Sequence, residues 1–422
     1  MLELKKLTKR VGKINPLSLE SARAMGSYET FAKALKTDRI DLFSEIEASK
    51  LRGRGGAGFP VHIKMMAIAK ETDDTKYLVC NADEGEPGNF KDRYLMEKDP
   101  HLVLEGILIS AYIARIKKGY LYIRGEYNQA IAIMSWALDE LRAANLLGNH
   151  ILGSDMDFDL EIRRGAGSYV VGEEFAMLES IEGKAGRTRV KPPFPTEKGL
   201  FGKPTLINNV ETFANFPIIL EEGGQAFAKI GTPTSTGTKL ISLSGNVLYP
   251  GVYEIPFGVT LREVIESLGG GVGANRQIKM VQLGGACGPI IPEMMLDMKI
   301  DFDRFEDFES KTGAGAIIVM DDRQDLFQVL SRIVEFFNHE SCGRCTPCRE
   351  GHEHVGLLMK KFLRSEGTPE DLYSLESLAR VMHHTSLCGL GQSSPVSILS
   401  SLGYFRDEYH ERMTMTGGRH HG

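Results

Sequence analysis

The sequence predicts a multidomain chain of α/β and α+β character: a Rossmann-like α/β domain, a small β-grasp (SLBB-like) module and a C-terminal helical bundle. Three observations predict it. Short apolar runs alternate with helical stretches as far as Glu182, the pattern of a parallel or mixed sheet covered by helices. Composition then shifts at 231–237, G-T-P-T-S-T-G, which reads as a linker. From Leu326 onward the apolar residues Phe327, Leu330, Ile333, Val334 and Phe337 recur at helical spacing. The expected divisions are 1–235, 236–325 and 326–422.

In chain order, helices are expected at 27–36 and 38–49, before a glycine run at 53–58. K-Y-L-V-C-N at 76–81 reads as a buried strand ending in an acidic loop. Residues 101–116 are apolar enough for a buried helix, 120–124 forms a second strand, and 128–144 an amphipathic helix. At 158–163 apolar and charged residues alternate as in a half-buried strand. Gly165-Ala166-Gly167 follows at once, then a helix over 173–182. The β-grasp module is expected to run from a strand at 239–244 through a turn at 249–251, a strand at 252–255 and a helix at 260–268, to about Asp322. Helices at 352–364 and 369–383 complete the bundle.

With 422 residues the chain can bury a large core. A net charge of −6 gives no basic field of the kind that binds nucleic acid. The N-terminal 13 residues carry basic side chains but no apolar signal core, so no secretory signal is expected. The greasiest stretch, 102–113, contains Glu105 and is too short for a bilayer, so no membrane insertion is expected. The tail 417–422 is expected to be disordered, and His420 and His421 are weak metal candidates. Cys80 and Cys287 read as small buried residues, and the scarcity of cysteine fits a reducing cytoplasm.

Four cysteines remain. Cys342, Cys345 and Cys348 stand at C-x2-C-x2-C spacing, and Cys388 follows at a distance in S-L-C-G-L-G. Three thiolates at that spacing can take three corners of one [4Fe–4S] cluster, with a remote fourth closing it. Zinc is the competing occupant, although structural zinc sites usually pair two short arms; disulfides are a third reading. A cluster implies electron transfer.

Three further segments carry candidate chemistry. Gly53, Arg54, Gly55, Gly56, Ala57 and Gly58 satisfy G-x-G-x-x-G, but a helix precedes them where a dinucleotide loop needs a strand. Their backbone N–H groups can still approach a phosphate or flat ring; the alternative is a flexible loop. Asn81 to Gly88 pack Asp83, Glu84 and Glu86 around Gly85 at the carboxyl end of a strand, where open α/β sheets bind ligands, unless this is only an acidic surface turn. A glycine at 85 would make a peptide rotation inexpensive, so the loop is a candidate redox-sensitive element. Tyr169, Gly172, Glu173 and Glu174 lie between a strand and a helix, which suits phosphate or flavin binding at a helix N-terminus; plain first-turn carboxylates are the alternative. Asn208-Asn209 form an amide cluster, or a helix cap.

Taken in order, L-R-G-R-G-G-A-G-F-P, C-N-A-D-E-G-E-P-G-N-F-K-D-R, G-A-G-S-Y-V-V-G-E-E, K-P-P-F-P, G-K-P-T-L-I-N-N-V-E-T and E-S-C-G-R-C-T-P-C-R-E-G resemble the NADH-binding flavoprotein subunit of respiratory complex I, from about residue 30 to 405. The resemblance implies FMN held by the glycine loop, Asn81, Asp83, Glu84, Gly85, the Tyr169–Glu174 segment, Ile207, Asn208, Asn209 and Thr212. It also implies NADH stacked over the flavin, with Phe59 and Phe194 near the adenine, Lys64 retained nearby, and Glu86 and Glu174 acting at the ribose or nicotinamide. Cys342, Cys345, Cys348 and Cys388 would hold the [4Fe–4S] cluster. Implied partners are a thioredoxin-like [2Fe–2S] subunit and a larger iron–sulfur subunit of a peripheral arm, on the inner face of the cell membrane. A diaphorase subunit of an NAD-dependent hydrogenase or formate dehydrogenase shares these motifs. The chain departs from the pattern at Val61-His62-Ile63-Lys64-Met65-Met66-Ala67, where aromatic residues are lost, and at Val171, which stands where the family carries cysteine.

Overall fold

Four short segments become parallel strands: β1 (Tyr77–Ala82), β2 (Lys118–Ile123), β3 (Asp159–Arg164) and β4 (Thr205–Asn209), in the spatial order β3-β2-β1-β4. The structure, a computed structural model, describes residues 2–303 and 313–414. The tail histidines and part of the expected β-grasp span therefore lie outside the described residues.

Both faces of this sheet are covered, as parallel sheets require. Leu78, Cys80, Ala82, Leu121, Ile123 and Leu206 pack into one core, under the helices Pro100–Ala114 and Val210–Glu222. Val79, Tyr120, Tyr122 and Ile207 face a second core shared with the C-terminal helices. Helix Pro100–Ala114 starts where Asp99 accepts the Leu102 N–H, with Pro100 pre-set for the first turn, and all of its residues are buried. The greasy stretch is thus a central core helix, and no described helix is long and apolar enough to cross a membrane. The expected helices and strands of this region form within a few residues of their predicted ends; β4, hidden behind its polar Asn208-Asn209 end, was not predicted.

The second sheet contains β5 (Thr238–Gly245), β6 (Gly251–Pro256), β7 (Ile278–Leu283), β8 (Ile290–Pro292) and β9 (Ala316–Asp321), ordered β6-β5-β9-β7-β8. Its core is separate and small. The helix expected at 260–268 forms over 261–268 but is wound wide from Glu263 to Leu268, where the Gly269 N–H reaches back to the Val264 carbonyl. Segment 231–237 is not a loose linker. Thr232 and Ser235 bond Asp301, and the Thr236 carbonyl accepts from Arg54 Nη2 at 2.6 Å.

The C-terminal region is helical: Leu326–Glu340, Thr346–Leu363, Pro369–Thr385, Gly389–Ser393, Val396–Tyr404 and Arg406–Glu411. Asp325 caps the first helix and Thr368, with Asp371, boxes the third. Cys345 and Cys388 each stand at the position just before a helix.

Candidate active site and cluster pocket

Strand order 3-2-1-4 places a switch point between β1 and β4, because the chain leaves β1 toward β2 on one side and returns to β4 on the other. At its carboxyl edge stand Asn81 and Asp83 from β1 and its loop, and Asn208 and Asn209 from β4, with Asn81 paired to Asn209 in register. Gly165 to Gly172 arrive from the end of β3. Asn81 Nδ2 donates to the Gly172 carbonyl at 2.9 Å and so ties two of the predicted segments together.

Two buried polar atoms at this edge have no partner: Asp83 Oδ2, an acceptor, and Asn208 Nδ2, a donor. Buried groups of this kind are rare without a ligand to satisfy them. Burial pushes the Asp83 carboxyl up to about 7, against the opposing charge of Arg124. An orphaned donor and acceptor beside a glycine-lined edge fit a polar cofactor such as a flavin nucleotide.

The structure sorts the remaining candidates. Glu84 turns inward: its carboxylate accepts from the Asp92 and Arg93 N–H groups at 2.9 and 3.0 Å and from Tyr127. Burial first, then Asp92, pushes Glu84 up to about 7. Arg54 is also inward and fully buried, donating to carbonyls of Arg52 and Thr236 and lying 4.9 Å over Phe257. Its backbone N–H bonds Thr212 Oγ1 at 2.8 Å, so this pair shapes the glycine loop from below. The loop closes as a bridge between Arg52 and Pro60, with no strand before it.

Asn209 is both cap and anchor. Its Oδ1 accepts the Glu211 N–H and its Nδ2 donates to Asp92 at 2.6 Å. Beneath it, Glu211 pairs Lys91 at 2.9 Å and Lys239 at 2.6 Å, all three fully buried. Burial pushes Lys239 down to about 7 despite Glu211.

Glu86 is held from two directions: Tyr169 Oη donates to one carboxylate oxygen, and the Cys287 N–H to the other at 2.9 Å. Burial raises its carboxyl above the usual range, against those bonds. Gly85 is closely packed: a Cβ would lie 2.9 Å from the Arg124 guanidinium tip and 3.2 Å from the Tyr169 backbone, so both would have to give.

Lys64 donates to the Ile207 carbonyl at 3.2 Å, sits 6.0 Å over Phe59, and shares its surroundings with Glu174 and Lys191. Lys191 pairs with Glu174 at 2.5 Å and Glu173 at 3.2 Å, while Glu173 also caps its helix. Lys191 was not singled out from sequence, although it opens the K-P-P-F-P motif. Phe59 and Phe194 are large exposed rings at this margin. Val171 is buried, against Gly186.

The four cysteines form no disulfide. Cys342, Cys345, Cys348 and Cys388 line one pocket together with Val170, Thr188, Arg344, Leu387 and Leu390. Cys348 is pushed up to about 11, by burial first and then by the other three thiols, against a bond from Ser341. Four thiols gathered on one pocket suit a cationic iron core, which draws off their protons. Among the described residues no group of three or more His, Cys, Asp or Glu closes on a single ion. Three cysteines at C-x2-C-x2-C spacing with a distant fourth favour a cube, each corner taking one thiolate, over structural zinc, which usually pairs two short arms.

A switch-point edge with orphaned polar atoms, adjoined by a four-cysteine pocket, defines a flavin- and iron–sulfur-carrying oxidoreductase. Residues 46–218 match the family model of the Nuo51 FMN-binding domain, and residues 328–412 match that of the NADH-ubiquinone oxidoreductase-F iron–sulfur binding region. The chain is 45% identical over 392 residues to the F 2 subunit of NADH-quinone oxidoreductase from Rhizobium meliloti, covering 93% of each chain. It is 42% identical to the NADP-reducing hydrogenase subunit HndC of Solidesulfovibrio fructosivorans, over 96% of this chain and 83% of that one. A solved structure of NAD+-reducing [NiFe]-hydrogenase in the H2-reduced state aligns with TM-score 0.85 and 34% identity; the match covers 93% of this chain but 65% of that one. The chain belongs to the F-type (51 kDa) flavoprotein family of NADH-quinone oxidoreductases, and its cofactors are FMN and a [4Fe–4S] cluster.

Proposed function

We propose that this chain oxidises NADH as the electron-input subunit of an NADH:quinone oxidoreductase, with Cys342, Cys345, Cys348 and Cys388 as the cluster ligands. The observation that carries this reading is contiguity. Tyr169 bonds Glu86 beside the switch point, while the next residue, Val170, lines the cysteine pocket. One short segment therefore touches both redox sites. FMN, when bound, accepts a hydride and releases electrons singly, the conversion that nicotinamide and iron–sulfur chemistry need between them.

The chain's own residues supply position and charge. Asp83 and Asn208 would satisfy polar groups of the flavin nucleotide, and Gly53 to Gly58 give it close approach to backbone. Glu86, clamped by Tyr169 and the Cys287 N–H, and Glu174, held by Lys191, would flank the nicotinamide or its ribose. Phe59 and Phe194 offer faces for the adenine, without the further aromatics that the family carries soon after this point and that Val61 to Ala67 lack. The acidic lining disfavours an added 2′-phosphate, so NADH is preferred over NADPH. The partners are a thioredoxin-like [2Fe–2S] subunit and a larger iron–sulfur subunit of a peripheral arm, which docks the chain at the inner face of the membrane.

Anaerobic material with FMN and iron bound should bleach in visible light on adding NADH. Replacing Asp83 or Asn208 by alanine should weaken FMN binding about tenfold or more, since each removes one buried polar partner. Flavin affinity unchanged in both variants would overturn the site assignment. The hydrogenase relatives support a second reading, a hydrogenase diaphorase subunit; the subunits that co-purify separate the two.

A further inference from the structure

One buried histidine beside the cysteine pocket takes no part in flavin or nicotinamide binding. His352 lies one helical turn beyond Cys348 on helix Thr346–Leu363 and is 2% exposed. Its Nδ1 is 3.5 Å from Cys348 Sγ, and its Nε2 is 2.7 Å from Ser394 Oγ. The ring stacks on buried Phe337, with centroids 6.0 Å apart and planes 6° from parallel. Two polar contacts and one stacked face leave the imidazole a single orientation.

The chemistry decides which atom carries the proton. A ligating thiolate has no hydrogen and can only accept, so the nitrogen facing it must be Nδ1–H. Nε2 then accepts from Ser394, whose hydroxyl is better placed for the ring at 2.7 Å than for the Gly391 carbonyl at 3.3 Å. Ser341 Oγ, 3.3 Å from the same sulfur, supplies a second donor. We propose that His352, oriented by Ser394 and Phe337, is a positioning residue for the cluster: its Nδ1–H donates to Cys348 Sγ and raises the cluster's reduction potential.

The physical basis is charge. One-electron reduction places one more negative charge on the cluster and its sulfurs, and a donor aimed at a sulfur stabilises that form more than the oxidised one. The effect favours electron flow from the flavin site into this cluster. It rests on Cys348 being a ligand.

The test is an EPR-monitored redox titration of the full chain, loaded with FMN and iron. His352→Leu keeps the bulk and removes the donor; its cluster midpoint should move to more negative potential at full iron content. His352→Asn places an amide near the Nδ1 position and should restore much of the shift. Ser394→Ala, which leaves the ring contact in place, should give a smaller shift in the same direction. In resonance Raman spectra, the Fe–S(Cys) bands of the parent should move on transfer to D2O, and those of His352→Leu should move less. An unchanged midpoint in His352→Leu, or equal shifts in the Leu and Asn variants, would overturn the proposal. Iron content of Cys348→Ser separates the two levels: full retention of a native cluster sinks the ligand assignment itself, whereas its loss with an unmoved His352→Leu midpoint sinks only the hydrogen bond.

Discussion

Glu105 shows how strongly one residue's surroundings set its chemistry. It sits within helix Pro100–Ala114, 2% exposed, and accepts from the Phe31 N–H at 3.1 Å. Burial pushes its carboxyl from 4.5 up to about 7, against backbone bonds from Tyr28 and Phe31 and the charge of Arg10, with Asp99 adding to the rise. The folded state therefore binds the proton more tightly than the unfolded chain. Stability falls as pH rises from about 4.5 to about 7, and that contribution is constant above. Glu105→Gln keeps the acceptor and removes the titration. Between pH 4 and pH 8 the variant should gain about 3 kcal/mol relative to the parent, read by urea unfolding at the two pH values; parallel profiles would refute this.

At the scale of elements, the crossing of helices Pro100–Ala114 and Val210–Glu222 underpins the switch point, because the second helix begins directly after Asn208-Asn209. The crossing depends on Gly106: a Cβ there would lie 1.9 Å from the Phe213 carbonyl oxygen. Backbone cannot yield as a flexible side chain can, so the helices would have to separate. Gly106→Ala should cost about 3 kcal/mol or more, beyond the small gain in helix propensity. A combined loss of unfolding midpoint and of flavin affinity is expected. Retention of both would show that the helices shift freely without disturbing β4.

Across the whole molecule, the first two regions meet at polar contacts around the carboxyl edge of the first sheet. Ser242 of β5 accepts from the Phe90 N–H at 3.0 Å, Lys239 pairs with Glu211, and Cys287 reaches Glu86. The second core runs without a break from the first sheet into the C-terminal helices. The four pocket cysteines, by contrast, lie in the helical region alone. Cys388→Ser should therefore lose cluster iron while retaining FMN, measured by iron assay and flavin fluorescence on the same sample. Equal loss of both would indicate that the two sites fold as one unit.

Chain pattern alone determined much of this protein. The apolar runs dictated β1 to β3 and their helices, the C-x2-C-x2-C spacing with Cys388 announced a cluster, and the motif order carried the family. These signals are local, set by side-chain periodicity or by ligand spacing along a few residues. Tertiary structure decided what local pattern cannot encode. Glu84 and Arg54 sit within ligand-like motifs yet turn inward, toward partners distant in sequence, Tyr127 and Thr236. Strand β4 ends in two asparagines that suggest a loop, and β7 and β9 depend on long-range pairing for their existence. Lys191 and His352 stayed silent in the sequence for the same reason: each is defined by a contact, with Glu174 and Cys348 respectively, that exists only once the chain has folded.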